Sequence, residues 1–195
     1  MTDATTPATG TPLDGERTDL LDALAAARAA LVNTVRGLTD EQAGQSPTVS
    51  SLCLGGLVKH VTRVEGRWLT FATEGGKNID YALPAGVTWA DITSGTAREY
   101  PQWMIEHQAA FRMAPGETLA EVLRRYEETA ARTAGIVAAL PDLSASHTLP
   151  EAPWEEEPGG SWTVRRVLMH VIEETSQHAG HADILREALD GSTST

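Results

Sequence analysis

Residues Trp162–Asp190, WTVRRVLMHVIEETSQHAGHADILREALD, read as one long amphipathic helix with polar residues on the face that should enter the core. A helix turns about 100° per residue. On that wheel Val164, Val167, Val171, Ala182, Leu185 and Leu189 share one arc, and His178 falls inside it. Glu174 lies near the edge of the arc, one turn earlier on the same face. His170 and His181 flank the edge further out. Arg165, Arg166, Glu173, Ser176, Asp183, Arg186 and Glu187 take the opposite side. Three of the six histidines of the chain lie in this stretch.

A carboxylate on an apolar arc is costly to bury without compensation. A metal ion would compensate it, because side chains at i and i+4 reach the same point in space. Glu174 and His178 have that spacing. A third ligand must come from another helix. His60 is the candidate, read as the only ionisable residue within the apolar stripe of the second helix. A His–Glu–His set suits zinc, and nickel, manganese or iron can also use it. The same pattern has plainer readings: His60 as a core histidine bonded to a carbonyl, and Glu174–His178 as a buried hydrogen-bonded pair. Cys53, two turns before His60, reads as a small buried filler, with a thiolate ligand as the other reading.

Working outward, three further helices are expected. Leu20, Leu21, Leu24, Ala27, Leu31, Val35 and Leu38 recur at three- and four-residue steps and predict a first helix over 16–37, with Asp14 as its cap. Leu54, Leu57, Val58, Val61, Val64, Trp68, Leu69 and Phe71 predict a second over 51–74, capped by Ser50 or Ser51. Gly55 and Gly56 in its first turn would permit close approach of a neighbouring element. The stripe from Leu119 to Leu140 predicts a third, entered through Pro115-Gly116-Glu117-Thr118 and stopped by Pro141. Ser161 or Thr163 caps the fourth, and Gly191 ends it. The segment 75–117 is irregular, with a short helix over 101–113, and holds half of the ten aromatic residues. A connection of that length is either a functional lid or pocket wall, or a strap anchored by its aromatics. The expected fold is all-α: an antiparallel four-helix bundle with a long connection between its second and third helices. One domain over 16–191 would lie between a disordered arm, 1–15, and a disordered tail, 192–195. The glutamates of 155–157 read as a solvated loop.

Fifteen basic against twenty-seven acidic side chains give a net charge of −12. Nucleic acid and anionic membrane both require cationic patches, so neither is an expected partner. A single cysteine excludes an intramolecular disulfide and suits a reducing compartment. The first residues lack a basic start and an apolar run, and no stretch is long and apolar enough for a membrane span. A cytoplasmic protein is expected.

Gly56-Leu57-Val58-Lys59-His60-Val61 followed by Glu65, together with the run from Val171 to Glu187, resembles the second- and fourth-helix motifs of the DinB-like superfamily in its actinobacterial branch. The entry to the third helix fits the same branch. The resemblance spans about residues 16–191. It implies a four-helix bundle holding a metal, commonly zinc, through a histidine of the second helix and two residues of the fourth. The two are often histidines four apart. Here the first is Glu174, as in the His–Glu–His set of mycothiol-dependent maleylpyruvate isomerases. Carried over residue by residue, the implied ligands are His60, Glu174 and His178, with His181 near the metal but outside the set.

The resemblance also implies thiol chemistry. A divalent metal with three protein ligands keeps an open position, where a low-molecular-weight thiol such as mycothiol could be activated to attack an electrophile. Those isomerases carry a further C-terminal domain, and this chain ends after the fourth helix, so small stand-alone S-transferases are the expected match. On this reading His181 moves a proton or orients a ligand, and Trp68 and His170 contact substrate. Trp89, Trp103 and Trp162 join Trp68 along an acceptor pocket. A homodimer is expected from the family. The competing functions are a metal-dependent isomerase or hydrolase, and a non-catalytic metal- or ligand-binding stress protein.

Overall fold

The computed structural model describes residues 13–153 and 159–193. Most of the expected arm, the 155–157 glutamates and the last two residues of the tail lie outside them. Among the described residues the fold is all-α apart from one pair of three-residue strands. In order the elements are α1 (Gly15–Thr34), α2 (Asp40–Gly44), α3 (Leu54–Glu74), α4 (Trp89–Ser94), α5 (Gln102–Ala110), α6 (Leu119–Ala139), β1 (Ser146–Thr148), β2 (Ser161–Thr163) and α7 (Val164–Asp190). A single 3-10 turn, Gly76–Asn78, follows α3.

The helix ends follow local chemistry. Asp14 accepts from the Arg17 amide at the start of α1, and Thr163 accepts from Arg166 at the start of α7. Gly191 closes α7 in the left-handed region at φ 77°. Elsewhere the sequence reading needs correction. Neither Ser50 nor Ser51 caps α3. The Ser50 hydroxyl is taken by the Leu52 amide at 3.3 Å, and the helix opens at Cys53 without a side-chain cap. Two short helices went unread although each carries a capping box, Thr39 with Gln42 for α2 and Thr88 with Asp91 for α4. Trp162 belongs to β2, not to the last helix. There it pairs with His147 in the antiparallel register Ser146↔Thr163, His147↔Trp162, Thr148↔Ser161.

Four long helices make the interior: α7 packs on α1 and α3, and α6 packs on α3 and α1. Which ends meet gives their directions. Arg165 at the start of α7 reaches Glu16 at the start of α1 (Nη2–Oε2 3.1 Å), and Arg186 near the end of α7 donates to the carbonyl of Thr34 at 2.9 Å. Lys59 early in α3 pairs with Glu117 just before α6 at 2.8 Å. Arg17 at the start of α1 donates to the carbonyls of Val137 and Leu140 at the end of α6. So α1 and α7 run parallel, α3 and α6 run parallel, and the two pairs oppose each other. The expectation of wholly antiparallel neighbours is corrected. A chain leaving α3 must travel back the length of a 21-residue helix, about 30 Å, before α6 can begin. The length of the 75–118 connection follows from that return.

The core is divided. One apolar cluster gathers Leu31, Val35, Leu54, Leu57, Val58, Val61, Val122, Ala182 and Leu185. The other gathers Leu24, Leu69, Phe71, Val137, Val164, Val167, Leu168 and Val171. Between them lies a polar layer. Glu65 of α3 is fully buried, at 0% exposure. The Arg28 guanidinium of α1 donates to both of its carboxylate oxygens, and the Thr133 hydroxyl of α6 donates to one of them. Buried Thr175 of α7 returns its hydroxyl to the Val171 carbonyl at 2.7 Å. His60 is therefore not the only ionisable residue within the stripe of α3. Glu65 was hidden because its partner comes from a helix 37 residues away.

Gly56 provides the close approach anticipated for it. A Cβ there would collide with the Phe111 carbonyl and come within 2.7 Å of the Arg112 amide nitrogen. Gly56→Ala should therefore push the end of α5 off α3 and cost about 1–3 kcal/mol, readable as a lower urea midpoint. Arg28→Met should cost about 3–5 kcal/mol by stranding the Glu65 carboxylate. Adding Glu65→Leu should restore most of that loss, and a double variant no more stable than the single one would refute the assignment.

Candidate metal centre

The centre is built where α3 and α7 cross opposite α5. Leu57, Val58 and Val61 seat α3 in the first apolar cluster and carry His60 to the interface, where it is 3% exposed. Val171 and Ala182 anchor α7 on either side of Glu174 and His178. The three side chains meet: one ligating atom from each lies within 4.8 Å of the others. His178 Nε2 stands 3.5 Å from Glu174 Oε2. The His60 and His178 rings meet edge-on, with centroids 4.8 Å apart.

The donor set fits a divalent cation. Ligands about 2.1 Å from a tetrahedral zinc stand about 3.4 Å from one another. The Glu174–His178 pair is already at that separation, and the His60 ligating atom lies within 4.8 Å of both. His60 Nδ1 is buried without a hydrogen-bond partner, a cost that some group should offset. Burial, then the His178 and His107 rings, draw the His60 pKa down to about 3, so the ring is neutral and its lone pair free at neutral pH. His178 first, against the opposing effect of burial, holds the Glu174 carboxyl below its ordinary range, so it is ionised. A neutral imidazole beside an ionised carboxylate is what such a cation binds.

The flanking histidines take distinct places. His170 Nε2 faces Glu174 Oε1 at 3.7 Å, and its ring meets Trp68 and Trp162 at centroid distances of 4.9 and 5.1 Å. Those two indoles stack on each other at 4.8 Å. His170 thus lies against the carboxylate, away from the cavity described below. His181 is an exposed residue whose Nδ1 lies 3.4 Å from His178 Nδ1, on the opposite edge of that ring from Glu174. Cys53 is turned away, its thiol 3.7 Å from the Phe111 carbonyl, which leaves it the filler role.

Above the three residues opens a cavity of about 460 Å³, with His60 and Glu174 in its wall. Trp68, Trp89 and Trp103 line it, as the sequence reading expected. Trp162 does not, because its place in β2 turns it onto Trp68 and His170. The 75–118 connection supplies much of the remaining wall, including Tyr81 and Met104. One residue was missed. His107 of α5 lines the cavity and meets the His60 ring edge-on at 5.1 Å. Phe111, one turn later, stacks on His60 at 3.8 Å. Burial, then Arg63 and Arg67, lower the His107 pKa. The i, i+4 pair His107–Phe111 on one face of a short helix was the available signal, but its target lies on another helix.

An all-α fold with a partly buried His–Glu–His cluster beneath an aromatic cavity has the layout of a small-molecule enzyme or binding protein. Residues 19–191 match the family model described as MST: Mycothiol-S-transferase. The chain belongs to that family. Among solved structures it is similar to a conserved protein from Enterococcus faecalis, with a TM-score of 0.62 and 15% identity over 93% of this chain and 100% of the other. That likeness speaks to the fold alone. No curated protein matches. Among the described residues no helix is long and apolar enough to cross a membrane.

The geometry predicts that protein dialysed against zinc retains about one ion per chain and that His178→Ala retains less than about a tenth of that. Elemental analysis reads the content, and a zinc-dependent rise in melting temperature confined to the wild type reads the linkage. Equal, near-zero content in both would remove the site.

Proposed function

We propose that this chain is a metal-dependent transferase that joins mycothiol to an electrophilic small molecule. The observation that carries the reading is the convergence of His60, Glu174 and His178 within 4.8 Å, with His60 and Glu174 in the wall of a 460 Å³ cavity, in a chain of this family. We read the four long helices as a four-helix bundle holding that centre, and residues 16–191 as one domain. Zinc is the proposed ion, and when bound it supplies a Lewis acid that favours the thiolate form of a thiol at neutral pH.

The side chains of the protein do the rest. His60, Glu174 and His178 would hold the ion. His170 steadies the Glu174 carboxylate, and His181 fixes the orientation of the His178 ring. Trp68, Trp89 and Trp103 press the acceptor against the reacting sulfur and keep water out. Carbon–sulfur bond formation expels the leaving group of the acceptor with its electron pair, and the thiol proton passes to water. His170 is assigned to support of the centre, not to substrate contact, because it faces Glu174 and is absent from the cavity wall. A homodimer, carried over from the family, and a reducing cytoplasm, with which the single cysteine is compatible, belong to the same reading.

Zinc-loaded protein, mycothiol and a panel of alkyl and aryl halides should give thiol adducts faster than the same mixture without protein. His60→Ala and Glu174→Ala should lower that rate by about a thousandfold or more. Absence of any accelerated adduct while zinc is bound refutes the transferase reading. Product formed without thiol would favour hydrolysis instead.

A further inference from the structure

We infer that the acceptor taken by the cavity is a flat apolar molecule bearing one carboxylate, and that Arg67 recognises this carboxylate. The inference rests on the proposal that the cavity is the acceptor site. Arg67 follows His60 by seven residues on α3, so both project from the same face. It lines the same cavity. Its guanidinium carbon lies 4.6 Å from the centroid of the Tyr81 ring. That cation–π contact fixes the position of the guanidinium without using up the N–H donors that grip a carboxylate in bidentate fashion.

Among the described residues Arg67 has no carboxylate within ion-pair distance. Its neighbour one turn earlier does: Arg63 pairs with Glu106 at 2.8 Å. Among the described residues Glu174 is the one carboxylate in the cavity wall, and it is engaged with His170 and His178. Among the described residues, then, this half-buried cation is held by a ring at the wall of an apolar chamber with no carboxylate of the protein to meet it. The electrostatic influence of Arg67 on His107 across the chamber agrees with that placement.

The rest of the wall describes the body of the ligand. Ile79, Trp89, Trp103 and Met104 offer apolar and aromatic surface, and the Trp103 indole N–H is directed to the Ala82 carbonyl at 3.3 Å. About 460 Å³ suits a one- or two-ring molecule. A polyhydroxylated body would find few partners on such walls, whereas a benzoate-like acceptor matches both the apolar surface and the single cation.

The test uses an unreactive pair, 4-tert-butylbenzoate and its neutral isostere 4-tert-butylbenzamide, titrated into zinc-loaded and metal-free protein by tryptophan fluorescence and calorimetry. Wild type should bind the benzoate about tenfold or more tightly than the amide in both forms. Arg67→Met should bring that ratio close to one, and Arg67→Lys should keep part of it. Arg67→Gln repeats the comparison, with circular dichroism confirming the fold of each variant. A preference that survives in Arg67→Met and Arg67→Gln, or that occurs only in the zinc-loaded protein, overturns the assignment, as does wild type that prefers neither probe. Turnover of 4-(bromomethyl)benzoate with mycothiol is read separately. Arg67-dependent benzoate binding without any thiol adduct would count against the transferase reading and leave the role of Arg67 standing.

Discussion

A carboxylate with no exposure to solvent sits at the middle of this protein, and much of the interior is arranged around satisfying it. Glu65 would be intolerable between two apolar clusters without Arg28 and Thr133, which come from two other helices. The three side chains tie α1, α3 and α6 into one register. The polar layer they form separates the apolar cluster at the start of α3 from the one at its end. His60 lies on one side of Glu65 along α3, and Glu174 and His178 flank Thr175 on α7, so the candidate centre opens off the same level of the structure. A fold that already breaks its core with ionisable groups at this height can carry a second polar cluster there without dividing the apolar clusters again.

The pairing of parallel neighbours has a functional consequence. Because α3 and α6 point the same way, the chain between them must return along the outside of the molecule. That obligatory return path carries α4, α5 and the aromatics of the cavity wall. Gly56 lets the end of α5 press backbone to backbone against α3, which places Phe111 flat on His60 and His107 at its edge. The two readings of the connection, pocket wall or anchored strap, are thus not alternatives. The same rings that fasten it shape the chamber above the three candidate ligands.

Around the centre, support is supplied locally and over distance. His181 is three residues from His178, and His170 is four from Glu174, so each braces its neighbour through helix periodicity alone. The brace on His170 itself is distant. Trp162 must be held by the small β1–β2 pairing, and Trp68 must arrive from α3, before the imidazole has its two indole contacts. The loop 141–161, unremarkable in composition, acquires its part in the site through that pairing.

What the sequence determined by itself were features that depend on period and on neighbours a few residues away. The stripes of the four long helices, the cap at Asp14, the stop at Gly191 and the inward direction of Glu174 and His178 are all of this kind. The capping boxes of α2 and α4 were equally local and could have been read. Tertiary structure alone decided what depends on pairing between distant segments: the Arg28–Glu65 ion pair, the parallel sense of α1 with α7 and α3 with α6, the approach of His107 and Phe111 to His60, and the contact of Arg67 with Tyr81 at the cavity wall. The reason is physical. Helix periodicity is written in backbone geometry at 3.6 residues per turn and is visible in one dimension. Whether a buried charge is tolerated, and by which partner, depends on which helix comes to lie against it.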